Sequence, residues 1–160
     1  MGLVNLYLGL GSNLGDRREN LQRALELLDE AFGTHYTALS DIVETPAWGF
    51  DGPPFLNTCV LYRLGRKGTP EAHATEILDI CKAVERALGR RTEGERDAGG
   101  KRVYHDRPMD IDILFYGAET IQTERLTIPH PGVGERDFVR IPLAQIAKPS
   151  LKKAFPEIFD

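Results

Sequence analysis

The order of apolar patterns along this chain predicts an α+β fold: a ferredoxin-like antiparallel sheet packed against helices, with an additional hairpin and helix at the C-terminal end. Three observations carry that expectation. Two stretches repeat apolar residues at helical spacing, Leu21, Ala24, Leu25, Leu28 and Phe32 in the first and Ile77, Cys81, Val84 and Leu88 in the second. Strand-like stretches alternate with them in the order strand, helix, strand, strand, helix, strand. At 160 residues the chain fits one domain, residues 1–160, and is long enough to bury a real core.

The elements follow in turn. Leu3 to Leu10 alternates as a strand, with Val4, Leu6 and Leu8 on one side and Leu3 and Tyr7 towards the other. It is expected to end in a turn at Gly9-Leu10-Gly11-Ser12-Asn13, residues that tolerate unusual backbone angles. Asp16 and Glu19 have the spacing of a capping box at the start of the first helix, and Gly33 is a natural stop. Strands are expected over Tyr36 to Glu44 and Phe55 to Leu64, separated by a proline- and glycine-rich stretch, Thr45 to Pro54, without regular structure. Thr69 caps the second helix, Pro70 takes its first turn and Gly89 closes it. Arg90 to Val103 has no apolar period and reads as a loop. Pro108 to Tyr116 reads as a central strand. A short hairpin over Thr120 to Ile128, a loop over Pro129 to Gly134 and a last helix near Phe138 to Ala147 complete the pattern.

Composition excludes several classes. A formal net charge of -4 argues against a nucleic-acid binder. No apolar run reaches the length of a membrane span, and Met1-Gly2-Leu3-Val4-Asn5 lacks the basic start of a secretory signal. A cytoplasmic protein is expected, and a monomer, since there is no coiled-coil pattern. The two cysteines, Cys59 and Cys81, fall within apolar patterns and read as buried reduced thiols. Basic residues crowd between Arg86 and Arg107. Acidic residues are mixed with them, so both a solvated charged loop and a local anion site remain open.

The sharpest chemical signal is Pro108-Met109-Asp110-Ile111-Asp112-Ile113-Leu114. In a strand, Asp110 and Asp112 share one face while Met109, Ile111 and Ile113 take the other. Adjacent carboxylates repel, and each is costly to bury alone. A divalent cation resolves both problems, and hard oxygen ligands suit Mg²⁺. The alternatives are two solvated aspartates on an edge strand, or aspartates paired to arginine. The close apolar flanks favour the metal. Mg²⁺ held by so few carboxylates keeps positions for water and substrate phosphates, which makes nucleotide phosphoryl chemistry the natural reaction class. Arg107, three residues before Asp110, and Arg90 and Arg91 could neutralise developing charge. Glu85 lies in the last helical turn, where the dipole disfavours an anion; neighbouring arginines could simply offset it. Phe55 and Asn57 share a strand face, so a ring and an amide could read a flat heterocycle, with Phe138 as a second ring; the ordinary alternative for such phenylalanines is core. His130, between two prolines and near Arg136, could contact phosphate or stabilise its own turn.

Taken in order, several stretches resemble the 6-hydroxymethyl-7,8-dihydropterin pyrophosphokinase family of folate biosynthesis. They are Leu10-Gly11-Ser12-Asn13-Leu14-Gly15, Glu44-Thr45-Pro46, Phe55-Leu56-Asn57, Glu85 through Gly89-Arg90, Arg107 through Leu114, and Leu126-Thr127-Ile128-Pro129-His130-Pro131, and they span nearly the whole chain. The resemblance implies that the pterin hydroxymethyl oxygen attacks the β-phosphorus of ATP and AMP leaves. It implies two Mg²⁺ ions on Asp110 and Asp112, with Arg90 and Arg107 as further catalytic residues near the phosphates. It places Glu85, His130, Arg136 and Tyr104 on the ATP side. Phe55 and Phe138 would sandwich the pterin, Asn57 would read its edge, and Thr45, Pro46 and Trp48 would complete the pocket.

The chain also departs from the family pattern. Val103-Tyr104-His105-Asp106-Arg107 stands where Arg-Trp-Gly-Pro-Arg is frequent, so Tyr104 would cover the site in place of tryptophan and Arg102 would substitute for the first arginine. Thr92 stands where a second loop arginine is frequent, with Arg91 beside it. The alternatives to the pterin reaction are another Mg²⁺-dependent phosphoryl or nucleotidyl transfer, or a non-catalytic binding module on the same sheet. The last of these would leave the aspartate pair, Phe55 and Asn57 unrelated.

Overall fold

The computed structural model describes residues 2–46, 52–89 and 108–159. Strand β1 (Leu3–Ser12) pairs antiparallel on one side with β4 (Phe55–Gly65) and on the other with β5 (Asp110–Tyr116). The short strands β2 (Ala38–Leu39) and β3 (Val43–Thr45) both pair with the far side of β4, giving the order β2-β4-β1-β5 with β3 beside β4. Helices α1 (Arg17–Phe32) and α2 (Pro70–Ala87) cover one face. Helices α3 (Asp137–Ile146), α4 (Pro149–Ala154) and α5 (Pro156–Phe159) cover part of the other. A two-stranded hairpin, β6 (Ile121–Gln122) and β7 (Thr127–Ile128), follows β5. The expected α+β architecture is present.

Alternation in β1 decides which residues meet which helices. Val4, Leu6, Leu8 and Leu10 are all buried against α1 and α2, with Leu21, Leu25, Leu28, Ile77, Cys81 and Val84. Tyr7 points the other way, into a second cluster with Phe115, Leu143, Leu151 and Phe155. Its ring meets Phe115 edge to face, and its hydroxyl accepts a hydrogen bond from the Lys148 amide at 3.1 Å, fixing the start of α4. Both long helices carry the expected caps. The Asp16 carboxylate accepts from the Glu19 amide at 3.1 Å and Gly33 closes α1 with φ 70°, while the Thr69 hydroxyl accepts from Ala72 N–H at 3.1 Å.

Three expectations are corrected. Gly9 to Ser12 are strand, not turn, because β4 and β5 pair with this stretch from both sides and satisfy its backbone groups. The strand expected over Tyr36 to Glu44 is two short pieces. Ser40 interrupts it: its hydroxyl accepts from the Cys59 amide at 2.8 Å, and the Asp41 amide turns away to donate to Gln145 at 2.7 Å. The last helix is followed by two more, each opened by a proline after residue 147. The loop expected over Arg90 to Val103 lies outside the described residues. No described helix is long and apolar enough to cross a membrane. Cys59 and Cys81 are free and buried, and burial pushes the Cys59 thiol up to about 12.

At the other end of β5, His73 of α2 is only 4% exposed and its Nδ1 lies 2.8 Å from the Tyr116 hydroxyl. Burial lowers its pKa below the ordinary 6.5, with Lys67 and Arg66 adding to the effect and Glu76 opposing it. The unfolded chain therefore takes up a proton at this residue first as pH falls, so stability drops from pH 6.5 downwards until the folded-state pKa is reached. Thermal unfolding followed at about pH 7.5 and about pH 5.5 should show a larger loss for the wild type than for His73→Gln. Equal losses would remove His73 as the cause.

Candidate active site

Above the β1 face opposite the leucines lies an open cleft of about 790 Å³, counting the space at its mouth. Its floor is built by two cross-strand rows. In one, Gly11 of β1 lies between Asn57 of β4 and Asp110 of β5; in the other, Gly9 lies between Cys59 and Asp112. Neighbouring strands are roughly 4.8 Å apart, so the Asn57 and Asp110 backbones stand roughly 10 Å from each other. The two glycines keep the ground between them low. The Leu114 side chain lies on the cleft side of Gly9, where an added methyl would touch it at 3.5 Å. Thr45 and Pro46 from the end of β3, Phe55 from β4, and Arg136, Phe138 and Val139 at the start of α3 form the walls.

The aspartate strand takes the predicted disposition. Met109, Ile111 and Ile113 are buried in the core, while Asp110 and Asp112 are half-buried in the cleft. A register shift between Tyr7 and Leu8 of β1 bulges β5 just beyond the pair, so that Leu114 and Phe115 both enter the second core cluster. Among the described strands β5 is the last in the sheet, and two contacts meet the edge that faces away from β1. The His130 amide donates to the Leu114 carbonyl at 3.1 Å, and the Ile111 amide donates to Glu85 Oε2 at 2.7 Å.

That first contact seats the His130 ring beside the pair. Its Nδ1 accepts from the Gly132 amide at 3.1 Å, which puts the proton of the neutral ring on Nε2, 3.7 Å from Asp112 Oδ1. Burial and then Arg136 lower the His130 pKa, against a smaller opposite pull from Asp110. Both effects favour the neutral ring, whose Nε2 lies on the Asp112 side. Arg136 also reaches over Phe138, its guanidinium carbon 5.8 Å from the ring centroid.

Asn57 is oriented by β3. Its Nδ2 donates to Thr45 Oγ1 at 2.8 Å and to the Val43 carbonyl at 3.4 Å. A backbone carbonyl only accepts, so the amide cannot be turned round, and Oδ1 is left on the Gly11 side. The cleft rim is tied down by Arg17, which donates to Glu44 at 3.0 Å and to the Pro54 carbonyl at 2.9 Å, and by Asn13, which donates to the Pro53 carbonyl at 3.1 Å.

Of the residues singled out in the sequence, Thr45, Pro46, Phe55, Asn57, Asp110, Asp112, Arg136 and Phe138 line this one cleft, with His130 beside it. Glu85 does not line it. It is 2% exposed, with its carboxylate against the β5 edge. Trp48, Arg90, Arg91, Arg102, Tyr104 and Arg107 lie outside the described residues.

A protein-family model described as 7,8-dihydro-6-hydroxymethylpterin-pyrophosphokinase (HPPK) matches residues 7–148. The chain belongs to this family. It is 46% identical over 144 residues to the 2-amino-4-hydroxy-6-hydroxymethyldihydropteridine pyrophosphokinase of Porphyromonas gingivalis, covering 89% of this chain and 90% of that protein. A protein of the same name from Methylorubrum extorquens is 39% identical over 146 residues, covering 91% and 84%. The mitochondrial folate synthesis bifunctional protein of Pisum sativum is 40% identical over 142 residues, which are 88% of this chain and 25% of that one.

Within this pyrophosphokinase fold, sequence reasoning missed the floor. Gly9 and Gly11 were read as a turn, although their period of two on an alternating strand was the signal that they share a face. A methyl at Gly11 would stand 2.9 Å from Asn57 Oδ1 and 3.3 Å from Phe55. Gly11→Ala should therefore destabilise the protein by about 1–3 kcal/mol through forced displacement of both side chains. Denaturant unfolding measures the loss, and shifted Asn57 side-chain amide resonances locate it. Unmoved resonances would show that the floor has slack.

Proposed function

We infer that this chain transfers pyrophosphate from ATP to the hydroxymethyl group of 6-hydroxymethyl-7,8-dihydropterin, releasing AMP, as a step of folate biosynthesis. The substrate oxygen forms a bond to the β-phosphorus, the bond from that phosphorus to the α,β-bridging oxygen breaks with its electron pair leaving on AMP, and the hydroxyl proton passes to water. The reading is carried by one observation: the Asn57–Gly11–Asp110 row, which joins an oriented amide to a carboxylate pair across a floor with no side chain in between. A flat ring lying on that floor, its edge at Asn57, extends a short substituent towards Asp110 and Asp112.

In this reading Asn57 Oδ1 accepts from the donor edge of the pterin. The heterocycle is rejected if that edge carries acceptors, because the amide cannot rotate away from Val43 and Thr45. Phe55 and Phe138 pack on the ring faces, and the backbone at Thr45 and Pro46 closes the side. Trp48 is assigned to the same wall from its sequence position. Towards the other end, neutral His130 donates from Nε2, and Arg136, with Arg90 and Arg107, offsets phosphate charge. Tyr104 is assigned to cover the nucleotide.

Asp110 and Asp112 fit the Mg²⁺ that the family implies: both are oxygen donors, they share a face, and they open onto a cleft large enough for phosphates. Among the described residues no group of three or more histidine, cysteine or acidic side chains could hold a metal, and water and substrate oxygens suit the positions that two carboxylates leave on Mg²⁺. Two Mg²⁺ bound there would polarise the phosphoryl oxygens and screen the triphosphate from the carboxylates. Every residue assigned a role belongs to one chain, and we propose that it acts as a monomer in the cytoplasm.

Incubation with ATP, Mg²⁺ and the hydroxymethyl-dihydropterin should give AMP in amounts that depend on the pterin; ADP as sole nucleotide product would sink the assignment. Asp112→Ala should keep its fold by circular dichroism and lose roughly a hundred-fold or more in kcat, as should the wild type once the metal is chelated. Phe138→Ala should raise the KM for the pterin about ten-fold, equivalent to about 1.4 kcal/mol of lost ring packing, with a smaller effect on the KM for ATP. An equal rise in both constants would remove Phe138 from the pterin wall.

A further inference from the structure

Glu85 is an acidic side chain in an unfavourable place. It lies in the last turn of α2, where the helix dipole opposes an anion, and it is 2% exposed, where desolvation opposes it again. Its Oε2 accepts a 2.7 Å hydrogen bond from the Ile111 amide, and Lys82 Nζ lies 3.9 Å from Oε1. Ile111 is the residue between Asp110 and Asp112. Its amide belongs to the peptide unit that follows Asp110, on the side of β5 that faces away from β1. An edge strand with that amide unmet is free to twist or slip, and the two carboxylates would move with it. The Ile111 side chain is already fixed in the core at 3% exposure. Glu85 fixes its backbone.

We propose that Glu85 is a positioning residue for the metal site: it clamps the peptide between the two aspartates, keeps their side chains parallel, and adds buried negative charge close to them. It acts on ATP only through that site, without touching the nucleotide, in contrast to the ATP contact expected from the family resemblance. The inference rests on the reading of Asp110 and Asp112 as Mg²⁺ ligands. Groups that orient metal ligands from outside the coordination shell commonly govern affinity by about ten- to a hundred-fold.

The test compares wild type, Glu85→Gln, Glu85→Ala and Asp112→Ala by calorimetry with a non-hydrolysable ATP analogue across Mg²⁺ concentrations, and with AMP in the absence of metal. Glu85→Ala should shift the half-saturating Mg²⁺ concentration upward about ten-fold or more. Glu85→Gln, whose amide carbonyl still accepts from Ile111 but without charge, should show a smaller shift in the same direction. Metal-free AMP binding and the KM for the pterin should not move. Should Glu85→Ala fail to fold, the glutamine variant carries the test alone. A folded variant at position 85 with wild-type Mg²⁺ dependence overturns the proposal, as does loss of metal-free AMP binding, which would mean direct nucleotide contact. Asp112→Ala is the control for the underlying reading. If it keeps Mg²⁺-dependent analogue binding, the aspartate site itself is wrong, whatever Glu85 does.

Discussion

β1 is hydrogen-bonded along both sides, and alternation then forces its residues to two opposite faces. Val4, Leu6, Leu8 and Leu10 take the face under α1 and α2; Tyr7, Gly9 and Gly11 take the other. The first set supplies apolar area that anchors both helices. The second changes from a large aromatic at one end to two residues without side chains at the other. Where Tyr7 stands, the sheet is thick enough to pack α3 and α4. Where the glycines stand, the same sheet leaves a hollow. The cleft is the part of the second layer that β1 declines to fill, and a one-residue slip of the strand would put leucines in the hollow and glycines in the core.

A hollow is useful only if what surrounds it holds still, and the two flanking strands are held by different means. β4 is internal to the sheet, with β2 and β3 outside it, and Asn57 is further locked by the Val43 carbonyl and the Thr45 hydroxyl. Among the described strands none lies beyond β5 in this sheet. Its outer backbone groups are met instead by a side chain from α2 and a loop amide, Glu85 on Ile111 and His130 on Leu114. These two contacts bracket Asp112. The same atoms that meet these two backbone groups of β5 hold the His130 ring beside Asp112.

The sequence made legible whatever rests on local chemistry. Asp16, Gly33, Thr69 and Pro70 marked the helix ends because caps act within a few residues. The aspartate pair was legible because a period of two with apolar neighbours has one geometric meaning in a strand. The cleft-lining residues Phe55, Asn57, Arg136 and Phe138 were found chiefly through the family resemblance, since nothing local distinguishes them from core or surface. What stayed hidden depends on partners distant in sequence. Gly9 to Ser12 have turn propensity and become strand only because β4 and β5 arrive from 44 or more residues away. Ser40 breaks its strand by bonding Cys59 from across the sheet. Glu85 looked misplaced on its helix because its partner is the backbone of another element, which no side-chain pattern reports.

The cleft joins two environments with opposed demands. A neutral ring needs apolar faces and one rigid acceptor; a triphosphate needs positive charge and mobile, wet ligands. In the function we propose, Phe138 and Arg136, two residues apart at the start of α3, would meet both demands from one element, and the guanidinium rests over the Phe138 ring. Neither side chain can shift far without disturbing the other. On that proposal the first turn of α3 would serve both ring recognition and phosphate charge, while the sheet beneath fixes the distance between Asn57 and Asp110. On the same proposal, specificity for the pair of substrates would reside less in any single contact than in the span from Asn57 to Asp110, which strand pairing sets at two strand spacings with Gly11 between them. A shorter or longer substituent on the ring would place its oxygen off the carboxylate row, and a bound ring would be held without being brought into reach of the phosphorus.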